Sequence, residues 1–256
     1  VEIFSAVDTE NSPVPYTLPE EVRPPEEHAL RGAPRYNFPK DFYHSVQLPP
    51  ITLEDFQIPL PDSVEPNCTE VTVRVMEIHP DRTQTTEKLI SMPVKNHCLD
   101  WHSSGCLLAM VIERHGKNGN IGYGFITGSC IKTGTVATTY FHDHHNLFVA
   151  GDHPADMLIA VRRLIKLQGG ILTVKDGEIL SELSLPVCGI LSEKSVEETA
   201  LCLKQVRESL EQLGYRHNNP IMSLGTLGLP VSPALKLTDK GLIDVKKGAV
   251  TELFVK

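Results

Sequence analysis

The sequence predicts an α+β (or α/β) fold: a sheet-rich sandwich covered by two main helices, with an irregular Pro-rich N-terminal extension. Three observations predict it. Short apolar or alternating runs rich in β-branched residues outnumber helical patterns. Two longer stretches carry the spacing of amphipathic helices. The first 66 residues hold 12 of the 19 prolines and one of the 18 glycines, Gly32. Each of those prolines removes a backbone donor and restricts the residue before it, which excludes long helices and central strands there.

Charge divides the chain at the same place. Residues 1–66 carry 4 Lys+Arg against 12 Asp+Glu, and residues 67–256 carry 20 of each. The net charge of −8 therefore belongs to the front. We read residues 1–66 as an acidic connector or strap and residues 67–256 as the body. The front also holds Tyr16, Tyr36, Phe38, Phe42, Tyr43 and Phe56, more aromatics than a purely solvating linker needs. The segment from Ile51 to Ile58 is its best anchor on a larger body.

Through the body, Val71–Val75 alternates as a half-buried strand, and Leu107–Ile112 is a continuous apolar run, read as a buried strand. A glycine-dense loop follows, with Gly116, Gly119, Gly122, Gly124 and Gly128. Thr135–Tyr140 is strand-like, and Leu147–Ala150 is apolar. Asp152 is the expected N-cap of a helix with Pro154 in its first turn and Met157, Val161, Leu164 and Ile165 on one face. Gly169 and Gly170 stop it. Ile171–Val174 and Glu178–Leu183 flank Lys175-Asp176-Gly177, a tight-hairpin signal. Ser195-x-x-Glu198 is a capping box opening a second helix with Val196, Leu203, Val206, Leu210 and Leu213, ended by Gly214. Ile221–Val231 is apolar with glycines and prolines, and Val250–Val255 reads as a last strand.

Several function classes are excluded. No run approaches the roughly 18 apolar residues of a membrane span, and no basic footprint suggests nucleic acid. No apolar N-terminal core resembles a signal peptide. The six cysteines are scattered without C-x-x-C, which reads as reduced, mostly buried thiols in a cytoplasmic protein. The start at Val1 reads as a fragment or a processed product. The glycines lack the phosphate-loop spacing and its lysine, and the deaminase H-x-E…P-C-x-x-C and the G-x-S-x-G elbow are absent.

The densest polar cluster is His142-Asp143-His144-His145-Asn146. In an extended segment His142 and His144 share one side, and Asp143 and His145 the other. Neutral imidazoles and a carboxylate could be part of a metal site, with His142 and His144 the candidate ligands. The alternatives are a hydrogen-bonding set for a polar ligand or a solvated turn. Glu113-Arg114-His115-Gly116, at the end of a strand, is a second candidate, or a solvated corner in which Glu113 and Arg114 pair. His142-x-His144 matches the start of amidohydrolase metal sites, but only 112 residues follow His144, too few for the rest of a barrel of roughly 250 residues.

The run from Glu113-Arg114-His115-Gly116 through Asn120-Ile121-Gly122-Tyr123-Gly124-Phe125 resembles a segment of bacterial and archaeal adenine deaminases, members of the amidohydrolase superfamily. His142–Asn146 resembles that family's HDSHN, with His144 in place of the serine. The resemblance continues through Asp156-Met157, Lys175-Asp176-Gly177-Glu178, Leu185-Pro186, Leu229-Pro230 and Leu237-Thr238-Asp239-Lys240-Gly241-Leu242, over about residues 70–256. It implies the C-terminal domain of a hydrolase that converts adenine to hypoxanthine and ammonia. The implied metal centre, iron, manganese or zinc, lies in a separate N-terminal barrel, and no cofactor is assigned to this chain. The expected partners are that barrel, adenine and, as an open possibility, further copies of the chain. The candidate pocket or interface residues are His142, Asp143, His145, Asn146, Glu113, Arg114, His115 and Asn120. A stand-alone purine-binding or regulatory module and a small metal enzyme built on His142–Asn146 are the competing readings.

Overall fold

Six consecutive apolar residues make a strand that must be covered on both faces, because alternate side chains point to opposite sides. The computed structural model, which describes residues 37–65 and 67–255, has that arrangement. Its strands are β1 (Glu70–Ile78), β2 (Thr85–Lys95), β3 (Cys98–Leu99), β4 (Leu107–Ile112), β5 (Ile121–Gly128), β6 (Thr135–Thr138), β7 (Leu147–Gly151), β8 (Gly170–Lys175), β9 (Glu178–Ser184), β10 (Leu235–Thr238), β11 (Gly241–Asp244) and β12 (Ala249–Thr251). The helices are α1 (Pro154–Leu167), α2 (Val196–Gln212) and α3 (Pro220–Gly225). Strands β1–β9 form one sheet in the order β3-β2-β1-β5-β4-β7-β6-β8-β9, and β10–β12 form a second. Within the large sheet, β1 and β5 run parallel, while β4 lies antiparallel to both β5 and β7.

The two faces of β4 open onto two cores. Leu108, Met110 and Ile112 join Val73, Phe125 and Val149 under α1, whose Met157, Val161 and Leu164 are fully buried. Leu107, Ala109 and Val111 join Phe148 and Ala150 beneath Val206 and Leu210 of α2 and Leu235, Leu237 and Leu242 of the small sheet. The described residues from Pro39 onward form one compact unit. Within it, Val46, Ile51, Phe56, Ile58 and Leu60 pack into the α1-side core. Tyr16 and Tyr36 lie outside the described residues.

Several boundaries differ from expectation, each for a local reason. The Gly-dense stretch is largely strand β5. Its glycines answer to close packing: a Cβ on Gly122 would stand 1.9 Å from the Thr238 carbonyl oxygen. β2 was not foreseen because its burial is irregular; it is held by its nine-residue pairing with β1 and cross-strand pairs such as Lys88 Nζ–Glu77 Oε1 at 2.5 Å. The strand expected over Thr135–Tyr140 stops at Thr138.

Asp152 does not cap α1. The N-cap is His153, without a side-chain bond, and Asp152 Oδ1 accepts the Gly134 N–H at 2.9 Å. The Ser195 capping box forms as expected, but Val196 at the start of α2 is 79% exposed rather than on the buried face. The Ile221–Val231 run holds most of α3 and a 3-10 turn. The final strand is short, and Phe254 then bridges Val73. Of the six free cysteines, Cys106 and Cys130 are buried and the others only half-buried, against the expectation of mostly buried thiols. Among the described residues, no helix is long and apolar enough to cross a membrane.

Candidate functional site

The pairing of β4 with β7 decides the site. Ile112 faces Leu147, so the residues just beyond them, Glu113 and Asn146, meet at one end of the sheet. Two polar clusters separated by some thirty positions thereby become one constellation. The β4–β5 hairpin loop carries Glu113–Asn120, and the β6–β7 connection carries Thr139–Asn146.

Glu113 is 4% exposed. Its carboxylate accepts four main-chain N–H groups of its own loop: His115 at 2.6 Å, Lys117 at 2.9 Å, Asn118 at 3.1 Å and Gly119 at 3.3 Å. Burial pushes its pKa up, but these four donors outweigh it and hold the carboxyl below its ordinary 4.5. A lowered carboxyl pKa contributes stability that is present above about 4.5 and lost as pH falls through the folded-state value. Glu113→Gln removes that charge and turns an amide NH2 against backbone donors. We expect it to cost about 3 kcal/mol at pH 7 and to flatten the acid limb of a urea-midpoint profile taken from pH 7 downward.

Arg114 is 2% exposed, and Glu113 and Arg114 do not form the solvated corner considered above. The guanidinium spreads across three segments. It donates to the Ser45 carbonyl at 2.6 Å, to the Cys188 carbonyl at 2.9 Å, and by Nε to the His145 carbonyl. Its own N–H donates to Asn146 Oδ1 at 3.3 Å. Burial lowers its pKa to about 10, against a smaller upward pull from Cys188 and Glu113, so it stays charged at neutral pH. It lies so close to Gly189, at φ +72°, that a Cβ there would be 2.7 Å from its Nη1.

The 142–146 segment is a tight turn, so the alternation that an extended segment would give does not apply. Phe141 and His145 exchange two bonds: His145 N–H donates to Phe141 O at 2.8 Å, and Phe141 N–H donates to His145 Nδ1 at 3.3 Å. His145 adopts φ +48°. The turn sorts the imidazoles. His142 and His145 stand 5.5 Å apart by ring centroid, with Tyr140 at 4.8 Å and 5.7 Å from them. His144 instead packs on Phe141, at 5.5 Å, and its Nδ1 accepts the Asn146 N–H at 3.1 Å. Burial lowers the pKa of both His144 and His145. The exposed His115 donates by Nε2 to the His144 carbonyl at 3.1 Å. Asp143 is exposed, with its carboxylate 3.9 Å from His142 Nδ1.

Asp239, in the β10–β11 turn, was not singled out as a site residue. It accepts Asn146 Nδ2 at 3.1 Å and Asn120 Nδ2 at 3.5 Å, tying both loops to the small sheet. Its one signal was the Asp-Lys-Gly turn pattern, whose partners lie some ninety and more positions upstream. An open groove of about 890 Å³ begins at Asn120 and Asp239 and runs past Tyr123 toward Leu60 and Phe254. Tyr140, also unforeseen, lines a smaller apolar cavity of about 260 Å³ with Leu185 and Met222. Among the described residues no three His, Cys, Asp or Glu side chains are grouped to hold a metal ion.

Residues 82–249 match the family model of the adenine deaminase C-terminal domain. The chain is 45% identical over 215 residues to an adenine deaminase of Clostridium perfringens strain 13, an alignment covering 84% of this chain and 37% of that protein. It is 46% identical over 219 residues to adenine deaminase 2 of Shouchella clausii, covering 85% and 37%. It is 40% identical over 209 residues to adenine deaminase 2 of Oenococcus oeni, covering 82% and 36%. The chain thus spans a little over a third of the length of these curated relatives.

Proposed function

The chain belongs to the adenine deaminase C-terminal domain family, and from that membership we propose that it is the C-terminal portion of an enzyme converting adenine and water to hypoxanthine and ammonia. In this reading it supports an active site located in a separate amidohydrolase barrel. One observation carries it: the Arg114 guanidinium fixes three main-chain segments at once and thereby sets the turn that presents His142, Asp143 and His145. A loop held this firmly from beneath, with Asp143 exposed and His142 and His145 half-buried beside it, suits the wall of a neighbouring pocket. The carbonyls and amides that would otherwise let the loop relax are occupied, so its imidazoles keep one orientation.

The family's iron, manganese or zinc would supply an activated water in the barrel. The described residues of this chain do not fit such an ion: they group no three ligands, and the Nδ1 atoms of His144 and His145 are engaged by backbone amides. Their part is to close the purine pocket, exclude bulk water and fix the geometry of the facing loop. The free thiols are compatible with a cytoplasmic setting.

The test is the complete protein, this chain joined to its catalytic portion, carrying His142→Ala and Asp143→Ala together. The Asp143 side chain is 82% exposed and that of His142 22%, so the urea midpoint of the double variant is measured beside its activity to separate a folding loss from a lost contact. We expect kcat/KM for adenine to fall by about tenfold or more, the scale of losing one or two polar contacts to bound substrate. Unchanged deamination would remove this role.

A further inference from the structure

The loop between β4 and β5 is anchored at its buried start and open at its tip. Of the four amides that Glu113 collects, Gly119 N–H makes the longest bond, at 3.3 Å. Asn118 is exposed. Its Oδ1 accepts the Asn120 N–H at 2.9 Å, so the side chain folds back along its own main chain, past the Gly119 nitrogen. Among the described residues its Nδ2 makes no hydrogen bond. Asn118-Gly119 is the one Asn-Gly step in the sequence. Gly119 has no Cβ to hold its nitrogen away from the side-chain carbon, and its φ of +67° lies where glycine alone moves freely.

We infer that Asn118 is a site of self-modification, converted through a cyclic imide to isoaspartate and aspartate. The Gly119 nitrogen gives up its proton to hydroxide and bonds to Asn118 Cγ, and Nδ2 leaves with a proton as ammonia. Water then opens the five-membered ring. Opening at Cγ gives aspartate. Opening at the main-chain carbon gives isoaspartate, with the chain running through the former side chain. One water is consumed, one ammonia is released and no atom changes oxidation state. The bond from the Asn120 amide draws electron density from Cγ, and the unbonded Nδ2 is free to depart. The Asp176-Gly177 turn lacks both advantages. Its side chain is a carboxylate, a poorer electrophile, and Asp156 holds the Asp176 and Gly177 amides at 3.0 and 2.8 Å.

The change reaches the candidate site. Isoaspartate adds one main-chain carbon just before Gly119 and displaces Asn120, whose Nδ2 reaches Asp239 at 3.5 Å. Either product also places a carboxylate beside Glu113, whose Oε2 accepts the Asn118 N–H at 3.1 Å. A second negative charge there raises the Glu113 pKa and removes part of the stability that its ionised form supplies.

The experiment ages the complete protein at neutral pH and one pH unit higher, then cuts it into peptides. Each peptide is scored by mass for exchange of NH2 by OH and by enzymatic methylation of isoaspartate. Both signals should appear first in the peptide holding Asn118, with Asp176 unchanged. They should grow about tenfold faster at the higher pH, in step with the amide anion. Asn118→Gln would need a six-membered ring and should abolish the signal. Asn118→Asp keeps an acceptor for the Asn120 amide and adds only the charge. It should move the Glu113 pKa upward, read by carbon-13 resonances of the carboxyl. Asn118 intact in the aged protein while a free peptide of residues 113–122 is converted would overturn the inference. So would isoaspartate arising first at another residue, a rate indifferent to pH, or an unmoved Glu113 in Asn118→Asp.

Discussion

Replacing Arg114 with methionine lowers the unfolding free energy by about 4 kcal/mol. Methionine fills most of the volume, so the loss is that of the hydrogen bonds. Three carbonyls, on Ser45, His145 and Cys188, lose their donor together. Each buried acceptor left unpaired costs about 1–3 kcal/mol, and relief of the desolvated charge offsets part of the sum. Lysine is no adequate replacement, because one ammonium cannot reach three carbonyls arranged around a planar fork. For a unit of this size the melting temperature should drop by about 10 °C. Faster amide exchange should concentrate in residues 139–146 and 187–191. A variant within about 1 kcal/mol of the parent would mean that the clamp does not hold the loop.

Gly122→Ala is the second large effect. The added Cβ would lie 1.9 Å from Thr238 O, 2.8 Å from Gly241 N and 3.0 Å from Thr238 C. All three are backbone atoms of the small sheet and its turn, so no side-chain rotation relieves the clash. Strands β10 and β11 must shift, taking Asp239 away from Asn146 and Asn120. We expect at least about 4 kcal/mol of destabilisation or failure to fold, among the largest values for a single substitution. Gly177→Ala is the control. Nothing lies within 4 Å of its Cβ, and only its φ of +83° opposes alanine, a cost of about 1 kcal/mol. Equal stability losses at the two positions, measured in urea, would contradict the packing account of the glycine-rich strand.

What could be read in advance follows from the range of the forces involved. β4 was legible because burial on both faces leaves an unbroken apolar run. The Asp176-Gly177 turn was legible because both residues take positive φ, a requirement written in residue type. The capping box at Ser195 is equally local. β5 was obscured because the reason for Gly122 is a carbonyl more than a hundred positions away. Asp152 carried a cap signal, but tertiary structure uses its carboxylate to hold the Gly134 amide instead. At the candidate site, the clusters Glu113–His115 and His142–Asn146 stood out by composition alone. That they touch required the β4–β7 register. That Glu113 and Arg114 are buried anchors for main chain required knowing which backbone groups lack partners. Asp239 and Tyr140 stayed hidden because their relevance is conferred entirely by neighbours brought in by the fold.

The central claim is that this chain serves an adenine deaminase active site housed elsewhere. The most direct measurement compares hypoxanthine formation by this chain alone, by the catalytic portion alone, and by the two together. The account predicts no turnover by the chain alone and a clear rise in kcat/KM when the two are combined. Turnover by this chain alone, or a catalytic portion equally active without it, would contradict the claim.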